Sequence, residues 1–361
     1  MKFGFLVCTP TEKQNCKNLG DYVQSLAARQ FYPHVDEYVH RENISEFQSK
    51  DGHPVKVITN AWWMWNPKKW PPSKDIIALP VSMHISPYCA EDMLNEEGVK
   101  WFKTNEPIGC RDYGTVNLLE SKGIKAYFTG CLTLTLYRSY PPVSPEKKTG
   151  VCFADPYISL RSGLWNNLKA VLHVLRAPYT IYSLTRKDFF SRISYNNTKK
   201  ATNFFHVLRK ASLFHEQYSN KFTNKTLREA DYVSNMYDLA NNRDDETLIA
   251  ETEKLLRFYN TRKLVVTSRI HVALPCTAME TPVIFIKHPD IVGSNWNANR
   301  LGGLIDFFHC MDLSFNGLTT EDDVLSAVSK ISSNFILSNK ETWRPFAKLL
   351  DNLCVDFCKK E

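Results

Sequence analysis

Short apolar runs alternate along most of this chain with longer segments in which apolar residues recur at helical spacing. Residues 3–7 and 264–267 are examples of the runs, which are rich in β-branched and aromatic side chains and bounded by polar turns. The longer segments, such as 245–260, have the spacing of an amphipathic helix. This alternation is typical of parallel strands joined by helices, so the sequence predicts an α/β fold.

The pattern predicts individual elements in both halves of the chain. Strands are expected at residues 3–7, 55–59, 76–82, 107–110, 126–129, 151–154, 264–267 and 283–286. Helices are expected at 21–31 with Asp21 as the N-cap, and at 90–101, 113–122, 164–175, 245–260, 272–280 and 341–357. Residues 186–230 are basic and polar, and no element is predicted there.

A linker is indicated at residues 141–150, where prolines, charges and a glycine are packed together. Since 361 residues are many for one hydrophobic core, we expect two Rossmann-like domains, at 1–140 and 150–340, followed by a C-terminal helix within 341–361. Ligands of such sheets bind beyond the carboxyl ends of the strands. The two domains are therefore expected to face each other across a cleft that holds the site.

The composition is that of a globular protein, with 43% hydrophobic and 23% charged residues. A net charge of +7 favours an anionic ligand, but without clustered Lys/Arg runs it does not indicate a nucleic-acid partner. The first apolar run is too short for a secretory signal, and no segment approaches roughly eighteen consecutive apolar residues. We therefore expect a soluble, cytoplasmic protein. Its ten cysteines form no CxxC pair, which predicts free thiols and no metal site.

The most informative motif is Ser268-Arg269-Ile270-His271, which follows a predicted buried strand and opens a predicted helix. A helix N-terminus stabilises anions, Arg269 adds a planar fork of donors, and His271 can exchange a proton near neutral pH. The alternative is that Ser268 only caps the helix and His271 is a satisfied core histidine.

Three further candidates are each ambiguous. Asp21 either caps its helix or faces the cleft as a carboxylate, and Arg111 either binds an anion or pairs with Asp112. His84 lies at the end of a predicted strand and is either structural or part of the site. Residues 60–72 contain four tryptophans, which either stack on sugar rings, lie at a membrane interface or fill the core.

Taken together, these motifs resemble the polysaccharide pyruvyl transferase family. The resemblance is carried by Asn18-Leu19-Gly20-Asp21-Tyr22, Asn60-Ala61-Trp62-Trp63, Ser82-Met83-His84-Ile85, Gly109-Cys110-Arg111-Asp112, Phe128-Thr129-Gly130-Cys131-Leu132-Thr133-Leu134, Val266-Thr267-Ser268-Arg269-Ile270-His271 and Ala278-Met279-Glu280-Thr281-Pro282-Val283-Ile284. Met279-Glu280 departs from the small residue expected there, at a position concerned with packing.

The resemblance implies a fold like the two-domain glycosyltransferase B architecture, with acceptor-side and donor-binding domains at 1–140 and 150–340. It also implies transfer of pyruvate from phosphoenolpyruvate onto two hydroxyls of a sugar in a precursor of a bacterial exopolysaccharide or capsule. No cofactor or metal is expected. Arg269 and His271 are the positions that the family associates with donor binding and catalysis.

On this reading Ser268, Arg269 and Arg111 bind the donor, and His271 transfers a proton. Asp21 or His84 activates the acceptor hydroxyl. The expected acceptor-binding residues are Asn60, Trp62, Trp63 and Trp65. A lipid-linked oligosaccharide as acceptor would bring peripheral contact with the inner membrane face, for which Lys68 and Lys69 are candidates.

Two alternatives belong to other classes. On the same kind of fold, a nucleotide-sugar-dependent glycosyltransferase would use Arg269 for a diphosphate. A non-catalytic glycan-binding module would instead use the tryptophan loop.

Overall fold

Parallel strands joined by helices make up the protein, which confirms the predicted α/β class. The computed structural model describes residues 1–160, 163–194, 196–288, 300–314 and 316–360. The strands are β1 (Lys2–Val7), β2 (Cys16–Asn18), β3 (Glu37–His40), β4 (Val55–Ile58), β5 (Trp62–Trp63), β6 (Ile76–Leu79), β7 (His84–Ile85), β8 (Ile108–Cys110), β9 (Ala126–Phe128), β10 (Thr149–Ala154), β11 (Asp231–Val233), β12 (Met236–Asp238), β13 (Arg262–Thr267), β14 (Val283–Lys287), β15 (His309–Ser314) and β16 (Gly317–Thr319).

The helices are α1 (Gly20–Arg29), α2 (Ala90–Met93), α3 (Glu96–Thr104), α4 (Tyr113–Glu120), α5 (Leu164–His173), α6 (Pro178–Thr185), α7 (Asp188–Ser191), α8 (Phe204–Tyr218), α9 (Asn224–Glu229), α10 (Asp245–Asn260), α11 (Ile270–Ala278), α12 (Asp323–Ser326) and α13 (Arg344–Lys359). Short 3-10 helices span Arg41–Glu46, Pro67–Lys69, Leu132–Arg138, Pro145–Lys147, Val174–Arg176 and Ile305–Phe307. None of the helices in the described ranges is both long and apolar enough to cross a membrane.

Two larger sheets organise the chain. The first has the order β3-β1-β4-β6 and is parallel throughout. The second has the order β11-β10-β13-β14-β15-β16, with only the last pair antiparallel. Their central strands are buried on both faces, as in β13, where residues 264–267 are all buried. Such double burial explains why these strands appear in the sequence as continuous apolar runs.

The two halves share one apolar core. It joins residues of β1 and α1 to residues of β13, α11 and α13. Strand β2 also pairs antiparallel with β12 from the second half. The tail helix α13 returns to the first sheet, where Lys56 Nζ donates to the Phe357 carbonyl at 2.7 Å. The two halves therefore pack together extensively. The predicted domain bounds and the open cleft between the domains stay predictions.

Several local predictions are wrong, each for an identifiable reason. The helix expected at 90–101 is divided into α2 and α3, because Asn95 caps α3 by accepting from the Gly98 amide at 2.9 Å. Asp21 is not the N-cap of α1, a position that Leu19 occupies without a side-chain cap. Within residues 186–230, where no element is predicted, the structure contains α7, α8 and α9.

All ten cysteines are free thiols, as predicted.

The tryptophan loop divides into interior and surface residues. The Trp63 indole is fully buried, with its ring centroid 5.0 Å from that of Trp70. Trp70 in turn packs on Phe102, at 5.3 Å between centroids. Trp65, by contrast, is 70% exposed. Core filling and surface recognition therefore both apply, to different members of one loop.

A matched pair of substitutions tests this division. Trp63→Ala should lower the free energy of unfolding by about 3–5 kcal/mol, because it leaves a cavity in the core. Trp65→Ala should change it by less than about 0.5 kcal/mol, because its ring is mostly in water. Urea denaturation followed by far-UV circular dichroism measures both. Equal losses for the two variants would contradict the assignment.

Candidate active site

Residues at helix N-termini and strand ends of both halves meet at one point. His271 lies in the first turn of α11, after β13, and Gly20 opens α1. A Cβ atom on Gly20 would lie 3.1 Å from His271 Cβ, which is a tight contact, so the absence of a side chain at position 20 favours the close approach of the two helices. The charges of Arg111 and Asp21 also act on the His271 imidazole. Three predicted site residues from distant motifs, Asp21, Arg111 and His271, thus interact electrostatically.

His84 and Asp112 form a buried pair. His84 Nδ1 lies 2.6 Å from Asp112 Oδ2, and both side chains are almost completely inaccessible. The other oxygen, Oδ1, accepts hydrogen bonds from the Thr115 amide at 2.9 Å and hydroxyl at 3.0 Å, as N-cap of α4. Because one carboxylate holds both the helix end and the imidazole, the orientation of His84 is rigidly set.

The protonation of this pair follows from its surroundings. Burial and the nearby Arg111 guanidinium lower the pKa of His84 to about 4, against the opposing effect of Asp112. Burial opposes the charge of Asp112, but His84 and Arg111 hold the pKa of its carboxyl below the ordinary value. The neutral imidazole therefore carries its proton on Nδ1 and donates it to the carboxylate. Nε2, which is buried without a hydrogen-bond partner among the described residues, is left as a proton acceptor.

Arg111 is a fully buried cation. The side chain has no solvent exposure, and none of its three guanidinium nitrogens has a hydrogen-bond partner in the described part of the chain. The nearest carboxylate oxygen, Asp112 Oδ2, lies 3.7 Å from Nε, beyond hydrogen-bond reach. A desolvated charge in this condition is costly. The arrangement is suited to an anionic ligand that supplies the missing acceptors.

His271 is the second imidazole on which the Arg111 charge acts. It is only 7% exposed, and its Nε2 has no hydrogen-bond partner in the described ranges. Burial, followed by the charges of Arg111 and Arg300, lowers the pKa of His271 well below the ordinary value, and Asp21 opposes this. An anion bound between these cations would offset their contribution and raise the pKa of His271, which favours the protonated imidazolium. His271 is thus able to become an acid when the ligand binds.

Asp21 lies beside these groups and is already paired. Its carboxylate accepts hydrogen bonds from Lys17 Nζ at 2.7 Å and from Arg41 Nη1 at 3.4 Å. Burial opposes ionisation, but these two cations hold the pKa of Asp21 far below its usual range. A carboxylate so stabilised is a weak base. Asp21 therefore fits an electrostatic role better than the proton-accepting role predicted for it, which stays a prediction.

The predicted donor-binding residues Ser268 and Arg269 lie at the carboxyl end of β13. Arg269 Nε lies 3.2 Å from the buried Asp155 Oδ2, and its Nη2 donates to Asn196 Oδ1 at 2.7 Å. The Ser268 hydroxyl accepts from the Tyr157 amide at 3.1 Å. Ser268 thus orders the loop that follows β10, and Arg269 is held in place by a carboxylate. Their donor-binding roles stay predictions.

The predicted acceptor-binding residues separate into two groups. Trp62 pairs with His84 across β5 and β7, and its ring lies 4.6 Å from that of the exposed Trp65. These two indoles form an aromatic surface beside the His84–Asp112 pair. Asn60, in contrast, is buried and donates to the Gln24 carbonyl at 2.9 Å, and Trp63 lies in the core. Burial does not support contact of Asn60 or Trp63 with a sugar.

Sequence reasoning overlooked several members of the site. Asp112 was considered only as a partner for Arg111, although its position before α4 already marked it as a cap. Arg41 had no local signal, yet its guanidinium lies over the Trp62 ring, 5.5 Å from the centroid, and reaches Asp21. Lys17 lies four residues before Asp21 in the chain and pairs with it, and the charge of Arg300 acts on the His271 imidazole.

Replacing Arg111 with an apolar residue should weaken anion binding without lowering the stability of the protein. Arg111→Met removes a buried charge and should leave the free energy of unfolding unchanged or raise it by about 1–3 kcal/mol. The same variant should lose the increase in Tm that inorganic phosphate gives the wild-type protein. Arg269→Met serves as the comparison and should destabilise the protein by about 3 kcal/mol, because it leaves buried Asp155 without its cation. Destabilisation by Arg111→Met, with the phosphate response retained, would refute this account.

The His84 imidazole should also make stability depend on pH. In the unfolded chain it takes up a proton below about pH 6.5, whereas in the folded protein it stays neutral until about pH 4. The free energy of unfolding should therefore fall as pH decreases from 6.5 to 4, by about 3 kcal/mol from this group. Denaturant titrations across this range should show a shallower slope for His84→Gln. An equal slope for the variant and the wild type would contradict the prediction.

Comparison with known proteins gives a family for this arrangement. The sequence model of the polysaccharide pyruvyl transferase family matches residues 18–290, which is more than half of the chain. The match begins at Asn18, just before α1, and extends beyond α11, so it includes His84, Arg111 and His271. A search of curated proteins finds no match. The chain therefore belongs to the polysaccharide pyruvyl transferase family and is a transferase.

Proposed function

We propose that this protein transfers pyruvate from phosphoenolpyruvate onto two hydroxyls of one sugar in a cell-surface polysaccharide precursor, forming a cyclic ketal. The observation that supports the proposal most is the buried Arg111 guanidinium, which has no acceptor among the residues that the structure describes and whose charge acts on two imidazoles that are neutral in the free protein. Phosphoenolpyruvate carries a phosphate and a carboxylate on a very small frame. It would supply the acceptors that Arg111 lacks.

The reaction needs an acid, a base and stabilisation of an anion. The methylene carbon gains a proton, one sugar hydroxyl attacks the central carbon, and the bond to the phosphate oxygen breaks. A second hydroxyl of the sugar then closes the ring. The sugar loses two hydroxyl protons. One compensates for the proton gained by the methylene carbon as it becomes a methyl group, and the other leaves with phosphate. Both transfers fall within the ability of positioned imidazoles.

His84 is assigned as the base and His271 as the acid. The Nε2 atom of His84 accepts the hydroxyl proton while Asp112 stabilises the resulting imidazolium. Binding of the donor anion beside Arg111 would raise the pKa of both imidazoles, because it offsets the positive charge that depresses them in addition to burial. His84 then becomes a stronger base, and His271 can hold the proton destined for the methylene carbon. The donor thus activates the catalytic groups as it binds.

The aromatic surface of Trp62 and Trp65 is assigned to the sugar acceptor. The apolar face of a sugar ring can stack on an indole, and Trp62 lies on the strand beside His84. A sugar stacked there would present hydroxyls toward the base. Asp21, held ionised by Lys17 and Arg41, would orient the second hydroxyl as a hydrogen-bond acceptor.

Turnover with phosphoenolpyruvate tests these roles. His271→Ala and His84→Ala should each lower kcat by about 10²–10⁴-fold, since each removes one proton transfer. Arg269→Ala should also lower turnover, and exposed His53→Ala is the matched control that should retain it. Phosphate release and the mass increment of the pyruvylated glycan are the two measurements. Near-normal turnover of the His271 and Arg269 variants would reject the assignment.

A binding comparison tests the donor itself. Calorimetry should detect phosphoenolpyruvate and should detect no binding of nucleotide sugars. Tight binding of nucleotide sugars alone would instead favour a nucleotide-sugar-dependent glycosyltransferase.

A further inference from the structure

Helix α5 carries an apolar stripe on its solvent side. Trp165, Leu168 and Leu172, with Leu175 in the following 3-10 helix, recur at helical spacing and are 74%, 47%, 55% and 78% exposed. Ala170, on the other side of the helix, is buried in the core. Amphipathic helices of globular proteins normally turn the apolar stripe inward. In α5 the larger apolar side chains face outward.

Neighbouring helices extend this surface. Helices α5 and α6 both pack on α8, and further apolar side chains are exposed on α6 and at the start of α8. With those of α5, the exposed set is Trp165, Leu168, Val171, Leu172, Leu175, Tyr179, Tyr182, Phe204 and Phe205, which we term the α5–α6 face. Nine such side chains leave an apolar surface on the order of 500 Å² or more. That is large for a monomer and marks an interaction site.

The charge of the same segment is strongly biased. Residues 161–210 contain ten Lys and Arg but a single acidic residue, Asp188, so this segment exceeds the net charge of +7 carried by the whole chain. Lys169 on α5, Arg176 in the following 3-10 helix and Arg186 at the end of α6 are exposed. The remainder of the protein is therefore slightly acidic. Positive charge is concentrated where apolar surface is exposed.

We infer that the α5–α6 face docks on the surface of an anionic lipid bilayer. Leucine and phenylalanine enter the acyl boundary, Trp and Tyr favour the headgroup level, and Lys and Arg pair with anionic headgroups. The cores of protein–protein interfaces, in contrast, are depleted of lysine and do not require one sign of charge. The combination of side chains therefore fits a lipid surface better than a protein partner.

The face is connected to the active site. The segment that bears it follows directly on Asp155 and Tyr157, which contact Arg269 and Ser268. Farther along the same segment, Asn196 accepts a hydrogen bond from Arg269 at 2.7 Å. A protein docked by this face would hold its site close to the bilayer, where a lipid-linked sugar is presented. This consequence depends on the proposed function, whereas the docking itself does not.

Flotation with vesicles tests the inference. The wild-type protein should float with phosphatidylcholine vesicles containing about one-third phosphatidylglycerol, and much less with phosphatidylcholine alone. The triple variant Trp165→Ser, Leu172→Ser, Leu175→Ser should reduce the bound fraction at least about tenfold, because it removes the inserting side chains. Lys169→Glu with Arg176→Glu should cause a similar loss, as should high salt. The control variants Ile336→Ser and Lys68→Glu lie elsewhere and should float normally.

Three outcomes would overturn the inference. They are failure of the wild-type protein to float, unchanged flotation of the triple variant, and conversion of a dimer to a monomer by the triple variant in analytical ultracentrifugation. The last would show that a second copy covers the face. Circular dichroism confirms that each variant is folded. Turnover on a water-soluble glycan should be unchanged in the triple variant, so failure of docking and failure of the proposed function give different results.

Discussion

The proposed site depends on one constraint, the burial of the Arg111 guanidinium without a hydrogen-bond acceptor among the described residues. A buried cation in this state destabilises the folded protein. The same charge influences the protonation of the neighbouring imidazoles. Its field contributes to keeping His84 and His271 neutral in the free protein. In the proposed mechanism, binding of the anionic donor and activation of the two imidazoles would both be consequences of this one desolvated charge.

Close packing between the halves makes this arrangement possible. Gly20 lets α1 approach the first turn of α11, and the pairing of β2 with β12 holds the approach in register. His84 and Arg111 come from the first half, whereas His271 comes from the second. A site assembled in this way is sensitive to displacement of about 1 Å. The shared core is therefore part of the functional geometry as well as of stability.

Two exposed surfaces accompany the buried His84, Arg111 and His271 side chains. Trp62 and Trp65 lie beside His84 and are suited to a sugar ring, whereas the α5–α6 face combines apolar and basic side chains farther along the chain. Asn196, farther along the same segment of the chain, accepts a hydrogen bond from Arg269. The protein thus combines a buried cation, an aromatic surface and an apolar face rich in basic residues.

The sequence by itself determined the α/β class, most of the buried strands, the helix at 245–260 and the family, because hydrophobic periodicity and short motifs are local properties. It also indicated His271, for which the functional reading was favoured, and Arg111 and His84, for which the structural alternative was equal or stronger. Only the tertiary structure showed that His84 pairs with Asp112 and that Arg111 has no hydrogen-bond acceptor among the described residues. It likewise showed that Trp63 fills the core, that Asp21 pairs with Arg41, and that α5 turns its apolar side outward. These outcomes depend on contacts between residues distant in the chain, which local patterns do not encode.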